Sequence, residues 1–354
     1  MGDKVRFAIV GTGQMANTMA VVLADCEYAE VVSVCSGSID RARKFAEKFD
    51  IGSHTGCLDD ILQYDNIEAV YIANSNEKHV ESSVRCLDAG KAVLCEKPCA
   101  LDAQEFSKIE EAARRSSSLF VEGLWTLTLP SYQRLKQLIL DRKLGQALNL
   151  TASFGYPETP ETSPHLFHPN HGGVLYDRAV YLFAVSIYLF GSVKHLHHLS
   201  SLNESGVDVD FSALLEHDSG QTSVISASLS AMHTNNIFVG FEKGFAEVVN
   251  PALGSEELII QESSTKDEIK GDPIECDLGL STRLLKSSLL RRVKNQLLSP
   301  KKNYCGYSVS PYMPQLNHFC DLVANERIES SIVSIELSRQ IAEHLGKLKA
   351  NSSG

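Results

Sequence analysis

The chain has 354 residues, of which 43% are hydrophobic, and a formal net charge of −11 at pH 7. This length and composition accommodate two domains with full cores and exclude an intrinsically disordered chain. The negative charge argues against general nucleic-acid binding, and no apolar stretch approaches the length of a membrane span. Nine cysteines, without a CxxC pair or a recognisable secretory leader, indicate reduced thiols in a cytoplasmic protein.

A glycine-rich turn separates the first predicted strand, Val5–Val10, from a helix over Gln14–Asp25, where apolar residues recur at helical spacing. Strand, glycine turn and helix in this order form a dinucleotide-binding fingerprint. Gly11 allows the tight turn, Gly13 lets the backbone approach a pyrophosphate, and the helix N-terminus faces the phosphates with its positive end. The predicted cofactor contacts of this turn are Gly11, Thr12, Gly13, Gln14 and Met15.

The second strand, Glu30–Val34, bears on which dinucleotide is bound. NAD sites usually place an acidic residue about 20 positions beyond the glycines, on the ribose hydroxyls. Here Ser36 and Ser38 follow the strand, the first carboxylate is Asp40, and Arg41 lies early in the next helix. Hydroxyls and a nearby cation suit a 2′-phosphate. The sequence therefore favours NADP through these three polar residues, with NAD as the alternative if Arg41 is only a solvated helix residue.

Strands and helices continue to alternate up to about residue 122. The predicted helices are Ile39–Lys48, Cys57–Leu62, Lys78–Ala89 and Asp102–Arg115, and the predicted strands are Ala69–Ile72, Ala92–Cys95 and Leu119–Glu122. This order predicts a Rossmann domain with a doubly wound parallel sheet over residues 1–122. Short alternating runs between Ser192 and Ile260 then predict an open, mostly antiparallel sheet. This sheet belongs to an α+β domain over residues 123–354, whose last helix can pack back on the first domain.

Glu96-Lys97-Pro98 follows the strand that ends at Cys95. Proline prevents the strand from continuing, so the ammonium of Lys97 lies at the carboxyl edge of the parallel sheet, where open α/β sheets bind ligands. A lysine there can bond a ribose or lower the pKa of a neighbouring acid. Such a lysine is often only a solvated charge, but the glycine turn upstream favours a functional role.

These motifs together resemble the glucose–fructose oxidoreductase / inositol dehydrogenase / MocA (Gfo/Idh/MocA) family. The segments that carry the resemblance are Ala8–Gly13, Ala69–Ala73 with His79, Ala89–Pro98, Glu122–Thr126 and Leu129-Pro130. They look most like the subgroup with dimeric dihydrodiol dehydrogenase and NADP-dependent aldose dehydrogenases. The resemblance implies hydride transfer between nicotinamide C4 and a carbinol or carbonyl carbon of a sugar-like or cyclic diol substrate. It also implies a cis Lys97-Pro98 bond and a homodimer or higher homo-oligomer formed through the second sheet.

The resemblance implies further cofactor contacts at Ala73, Asn74, Asn76, His79, Glu96, Lys97 and Trp125. For His79, near the nicotinamide end, a structural role is the expectation. In relatives, glycines and a leucine precede Asp-x-Gly-x-Tyr or Asp-x-Gly-x-His, which matches the segment Gly172–Tyr181. By that match Tyr181 transfers the proton and Asp177 orients the substrate. A phenol with a pKa of about 10 does this slowly at neutral pH unless a cation such as Lys97 lowers its pKa.

The spacing of four places Asp177 and Tyr181 on one face of the first turn of a helix. Tyr181 could otherwise be a packing residue of the apolar helix that follows. Ala179 departs from the family pattern by replacing the usual glycine, and it is strained if that position needs a positive φ. Arg178 beside it pairs either with an anionic group of the substrate or with Asp177. The substrate scope therefore stays open.

Histidines at 165, 168 and 171 are spaced by three, but Pro164 and Pro169 disfavour a regular helix between them. We expect no metal there, only contacts to the substrate or ordinary loop residues. Residues 283–302 carry seven Lys or Arg and no acid. We interpret this basic segment as an amphipathic helix with its charges in water. Contacts to an anionic substrate, a membrane surface or a lid are the alternatives.

The sequence thus predicts a cytoplasmic, NADP-preferring oxidoreductase that acts on CH–OH groups, with Lys97, Asp177 and Tyr181 as catalytic residues. A nucleotide-sugar ketoreductase is the second hypothesis, in which the basic segment contacts phosphate. A dinucleotide-binding regulator without catalysis is the third. The substrate, the direction of the reaction and the oligomeric state are left open by the sequence.

Overall fold

The chain folds around two β-sheets in this computed structural model, which describes residues 4–262 and 301–352. The first sheet is parallel and has the order β3-β2-β1-β4-β5-β6. Its strands are β1 (Val5–Val10), β2 (Ala29–Cys35), β3 (Ser53–Thr55), β4 (Ala69–Ile72), β5 (Ala92–Cys95) and β6 (Phe120–Glu122). The helices between them are α1 (Gln14–Ala24), α2 (Ile39–Phe49), α3 (Leu58–Leu62), α4 (His79–Asp88) and α5 (Ala103–Ser116).

The strand order reverses between β1 and β4, which creates the crevice where doubly wound sheets bind their ligands. Every residue of β4 and β5 is buried, as expected for strands covered by helices on both faces. These findings confirm the predicted Rossmann sheet. The predicted domain boundary coincides with the end of β6 at Glu122, although the division into domains stays a prediction.

The second sheet has eight strands in the order β14-β13-β12-β11-β7-β10-β9-β8. They are β7 (Ala147–Gly155), β8 (Val193–Leu202), β9 (Asp208–His217), β10 (Thr222–Ser228), β11 (Ile237–Phe241), β12 (Gly244–Val248), β13 (Glu257–Glu262) and β14 (Lys301–Tyr304). Only β7 and β10 pair in parallel among these described strands. The prediction of a mostly antiparallel second sheet is confirmed. Of the basic segment 283–302, only the last two residues lie within the described part of the chain.

Four further helices are α6 (Pro130–Asp141), α7 (Val180–Phe190), α8 (Met313–Ala324) and α9 (Ile335–Ser352). All residues of α7 except Tyr188 are buried, so it forms the core beneath the second sheet. The C-terminal helix α9 contacts both α7 and α5 and thereby connects the two halves of the molecule. In the described ranges, no helix is both long enough and apolar enough to cross a membrane.

Candidate active site

The glycine turn after β1 has the shape that a pyrophosphate requires. Gly11 has φ +119°, and a Cβ there would lie 2.3 Å from the carbonyl oxygen of Ala73, so only glycine fits between the ends of β1 and β4. Gly13 precedes α1, and a Cβ there would meet nothing within 4 Å. The first glycine thus permits close packing of the strands, and the second leaves the helix N-terminus open to an anion.

Polar groups gather at the end of β2, where the adenosine ribose of a dinucleotide would lie. The Ser36 hydroxyl is 3.4 Å from the Thr12 hydroxyl and 3.5 Å from Nε of Arg41. Ser38 caps α2 by accepting the backbone N–H of Arg41. Asp40 pairs instead with Arg43 on the same helix, at 3.0 Å. The arrangement leaves a guanidinium and hydroxyls together beside the glycine turn.

Lys97 brings the three predicted catalytic residues together. It follows β5 and is joined to Pro98 by a cis peptide bond. Its Nζ donates hydrogen bonds to Oδ1 and to the backbone carbonyl of Asp177, both at 2.8 Å. The same nitrogen lies 5.0 Å from the ring centroid of Tyr181. An ammonium therefore lies between a carboxylate from the second half of the chain and a phenol, at the carboxyl edge of the parallel sheet.

Asp177 belongs to a π-helical turn, Leu175–Ala179, that runs directly into α7. Burial acts to raise the pKa of its carboxyl group, but the charges of Lys97 and Arg178 outweigh burial and lower that pKa. Asp177 is therefore ionised at neutral pH. The wider turn still leaves Asp177 and Tyr181 on the same side, one on each flank of Lys97.

The Tyr181 hydroxyl accepts a hydrogen bond from Nε1 of Trp125 at 3.0 Å, and its side chain is only 7% exposed. Burial first, and then the charge of Glu96, raise the pKa of Tyr181 well above its usual 10.0. The prediction that Lys97 lowers this pKa is therefore wrong. The ammonium is hydrogen-bonded to Asp177 and faces the phenol ring. Tyr181 is a neutral phenol here, which makes it a proton donor.

Glu96 and His79 support the Lys97-Pro98 turn from behind. Glu96 accepts hydrogen bonds from the Tyr71 hydroxyl at 2.6 Å and from the Lys97 backbone N–H at 3.3 Å. The ring nitrogens of His79 lie 2.8 Å from the carbonyl oxygen of Pro98 and 3.2 Å from that of Asn74. Both side chains are buried and hydrogen-bonded within the protein. Their contact with the cofactor stays a prediction.

Two asparagines predicted as cofactor contacts differ in their surroundings. Asn74 donates to the Ser82 hydroxyl at 2.9 Å, while its Oδ1 is buried with no hydrogen-bond partner in the described chain. This orphaned acceptor beside the end of β4 fits a hydroxyl or amide of a bound dinucleotide. Asn76 instead donates to the backbone carbonyl of His171 at 3.1 Å, so its side chain joins the two halves of the protein.

Arg178 is 3% exposed and donates hydrogen bonds to the carbonyl oxygens of Tyr156 and Ser228. These carbonyls lie at the carboxyl ends of β7 and β10, the parallel pair of the second sheet. Its guanidinium also lies 3.5 Å from Asp177 and 3.6 Å from Glu158. Of the two alternatives for Arg178, the structure shows the pairing with Asp177. The guanidinium ties the catalytic turn to the second sheet.

Ala179 has φ −62° and lies fully buried in helical conformation. Alanine is therefore unstrained at this position, and the departure from the family pattern concerns packing alone.

The histidine loop, which includes His165, His168 and His171, lies beside the candidate site and accepts a hydrogen bond from Asn76 at the carbonyl of His171. The rings of His168 and His171 stack with centroids 3.5 Å apart, and Nδ1 of His171 is 3.8 Å from a carboxylate oxygen of Glu77. His165 is exposed. Within residues 4–262 and 301–352, no group of three or more His, Cys, Asp or Glu could hold a metal ion. The loop thus contacts the segment that follows β4.

Sequence reasoning missed Tyr312, whose ring lies 4.7 Å from that of Trp125, and Phe154, whose ring lies 6.4 Å from that of Tyr181. Together with Trp125 they enclose the phenol in aromatic surface. Neither lies near a motif, so no local signal could have found them.

Two family models match the chain. Residues 5–124 match the oxidoreductase family with an NAD-binding Rossmann fold, and residues 132–247 match the GFO/IDH/MocA C-terminal domain. The chain belongs to the Gfo/Idh/MocA family. The resemblance read from the motifs is confirmed, and with it an NAD(P)-binding oxidoreductase.

Curated relatives and solved structures agree with this family. Trans-1,2-dihydrobenzene-1,2-diol dehydrogenase of Mus musculus is 29% identical over 248 residues, which are 69% of this chain and 74% of that protein. Uncharacterized oxidoreductase ORF334 of Rhizobium meliloti is 33% identical over 241 residues, 67% of this chain and 72% of that one.

Two solved structures of Gfo/Idh/MocA fold superpose over nearly the whole chain. Levoglucosan dehydrogenase in complex with NADH and levoglucosan has a TM-score of 0.81 at 15% identity, covering 99% of this chain and 98% of that one. The 3-ketoreductase KijD10 of Actinomadura kijaniata, in complex with NADP and TDP-benzene, has a TM-score of 0.76 at 20% identity, covering 97% and 96%. At these identities the likeness establishes the fold.

Proposed function

We propose that this Gfo/Idh/MocA protein is an NADP-preferring dehydrogenase or reductase that acts on a ring CH–OH group of a sugar-like or cyclic diol substrate. The observation that carries the proposal is the cluster of Lys97, Asp177 and Tyr181 at the carboxyl edge of the parallel sheet, next to the open glycine turn. The names of relatives support the substrate class, since one acts on a cyclic dihydrodiol and one solved structure holds levoglucosan.

Each member of the cluster has a distinct role. NADP, when bound, supplies or accepts the hydride at the nicotinamide. Tyr181, a neutral phenol, donates its proton to the substrate oxygen during reduction and takes it back during oxidation. The Trp125 N–H, 3.0 Å from the phenol oxygen, stabilises the negative charge that develops there. Lys97 stabilises negative charge on the substrate oxygen. The ionised carboxylate of Asp177 holds Lys97 in place, and it also accepts a hydrogen bond from a neighbouring hydroxyl of the substrate.

The preference for NADP follows from the groups at the end of β2. Arg41 and Ser36 offer a guanidinium and a hydroxyl within 3.5 Å of each other, which suits a phosphate on the adenosine ribose. Asp40, the first carboxylate after β2, forms a salt bridge with Arg43 on the same helix. A carboxylate aimed at the ribose would instead repel a 2′-phosphate.

A substrate panel tests the proposal directly. Trans-dihydrodiols, aldoses, inositols and nucleotide sugars are offered with NADP and NAD, and with the reduced cofactors for the corresponding ketones, while the absorbance of reduced cofactor is followed. We expect turnover with a sugar or cyclic diol and faster turnover with NADP. Turnover confined to nucleotide sugars would favour the ketoreductase alternative. Cofactor binding without any turnover would favour a regulator.

Self-association through the second sheet is part of the proposal. Leu199, Leu214 and Val224 lie on three neighbouring strands and are 81%, 49% and 47% exposed, with Leu214 directly opposite Val224. A second copy would cover this apolar surface. We expect light scattering to give a homodimer and Leu214→Glu to give a monomer; a monomeric parent chain would contradict this.

The eight described cysteines are all unpaired, which supports a cytoplasmic location.

A further inference from the structure

The carboxylate of Asp208 holds the chain where it enters the catalytic turn. Asp208 is the first residue of β9 and is 1% exposed. Its Oδ2 accepts the backbone N–H of Leu175, the first residue of the π-helical turn, at 2.8 Å. Its Oδ1 accepts a hydrogen bond from Lys349 on α9, and the same ammonium donates to the carbonyl oxygen of Gly172 at 3.1 Å. Two distant elements thus meet at one backbone segment.

Gly172 and Gly173 are packed so closely against their neighbours that the backbone has little room to shift. Gly173 has φ +100°, and a Cβ there would lie 2.3 Å from Oδ1 of Asp208. At Gly172, a Cβ would lie 2.6 Å from the carbonyl oxygen of Leu166. The backbone N–H of Asp177 donates to the carbonyl oxygen of Gly173 at 3.1 Å. A shift of the Asp208 carboxylate is therefore transmitted through backbone contacts to Asp177.

Asp208 is buried and Lys349 is 17% exposed, so desolvation of the carboxylate in particular offsets much of their attraction, and the ion pair is weak evidence for stability. Such a pair can instead hold the backbone in one conformation. We propose that Asp208 and Lys349 are positioning residues, which set the places of Asp177 and Tyr181 through the backbone from Gly172 to Leu175. This inference rests on the proposed function. The contacts of Asp208 and Lys349 reach the backbone at Leu175 and Gly172, so their proposed effect on catalysis acts through the turn.

The test compares Lys349→Met and Asp208→Asn with the control Lys347→Met. Lys347 lies on the same helix, is exposed, and pairs with Glu343 at 2.6 Å. We expect kcat to fall by roughly 10- to 100-fold in the two test variants, since a displacement of about 1 Å near the reacting groups has effects of this size. KM and the Kd for NADPH should stay within about twofold of the parent, and the control should match the parent. Lys349→Arg should restore part of the rate.

Tryptophan fluorescence supplies a readout that needs no substrate. Trp125 is the single tryptophan of the chain and donates to the Tyr181 hydroxyl. Lys349→Met should shift the emission of Trp125 in the same direction as Tyr181→Phe does. This shift can be measured even if the parent protein turns over none of the substrates in the panel. If Lys349→Met keeps the kcat and the Trp125 emission of the parent and only its melting temperature falls, Asp208 and Lys349 stabilise the fold and do not position the catalytic residues. Lys349→Met decides the matter if Asp208→Asn does not fold.

Discussion

Replacing Arg178 with Met should destabilise the protein strongly. The change keeps an apolar side chain against the ring of Phe154, which lies 5.4 Å from the guanidinium carbon. It removes two hydrogen bonds to the buried carbonyls of Tyr156 and Ser228 and the ion pairs with Asp177 and Glu158. Hydrogen bonds to a charged group contribute about 1.5–3 kcal/mol each, and breaking a buried pair costs about 3–5 kcal/mol. These contributions overlap, so we expect the free energy of unfolding to fall by about 3–5 kcal/mol.

At about 2 °C for each kcal/mol, the melting temperature should fall by about 6 °C or more. Differential scanning calorimetry measures this fall. Arg115→Met is the matched control, because Arg115 forms an exposed ion pair with Asp88 at 2.6 Å and should cost less than about 1 kcal/mol. kcat should also fall in Arg178→Met, since Asp177 loses a neighbour. A melting temperature equal to that of the control, with a raised KM alone, would show that Arg178 serves the substrate and not the fold.

Three more changes test separate parts of the account. Ala179→Gly should destabilise the protein by about 0.5–1 kcal/mol, because the position is helical, and a gain in melting temperature would reveal hidden strain. Arg41→Ala should weaken NADP binding by roughly tenfold while NAD binding stays nearly unchanged, and equal losses in calorimetric titrations would remove Arg41 from the phosphate site. Burial lowers the pKa of His79 from 6.5, so the unfolded chain binds its proton first and stability falls as the pH drops below about 6.5. Burial also lowers the pKa values of His217, His318 and His344, so His79→Asn should reduce but not abolish the loss of stability between about pH 7.5 and 5.5. If the free energy of unfolding, from urea denaturation, falls equally with pH in the variant and the parent, His79 is excluded as a source.

The parallel sheet was predictable because most of its strands are short, mainly apolar runs, each followed by a segment with helical spacing of its apolar residues. In the second half the information is less local. β7 alternates between Leu150 and Ala152, but its parallel partner β10 begins at Thr222, and a partner so distant leaves no local signal. The helices α6 and α8 were likewise not predicted. α6 packs against β12 and β13, and α8 packs against β1, which lies about 300 residues earlier in the chain.

The site shows the same division. The spacing in the sequence predicted that Asp177 and Tyr181 share a face, and Lys97 was placed at the correct edge of the sheet. The π-helical turn could not be predicted, because its entry is fixed by Asp208 and Lys349, which lie far along the chain. The raised pKa of Tyr181 likewise depends on tertiary burial, which no motif encodes.

Proton transfer by Tyr181 is the central claim, and the turnover of Tyr181→Phe on a confirmed substrate tests it most directly. Tyr188→Phe is the matched control, since Tyr188 lies on the same helix and its hydroxyl accepts a hydrogen bond from Gln133 at 3.0 Å. The account predicts a loss in kcat of roughly 10²–10⁴-fold for Tyr181→Phe and little loss for the control, with parent-like NADPH binding in both. The melting temperatures of the two variants should be similar, because each loses one hydrogen bond to a tyrosine hydroxyl. Equal turnover in Tyr181→Phe and the parent would contradict the account.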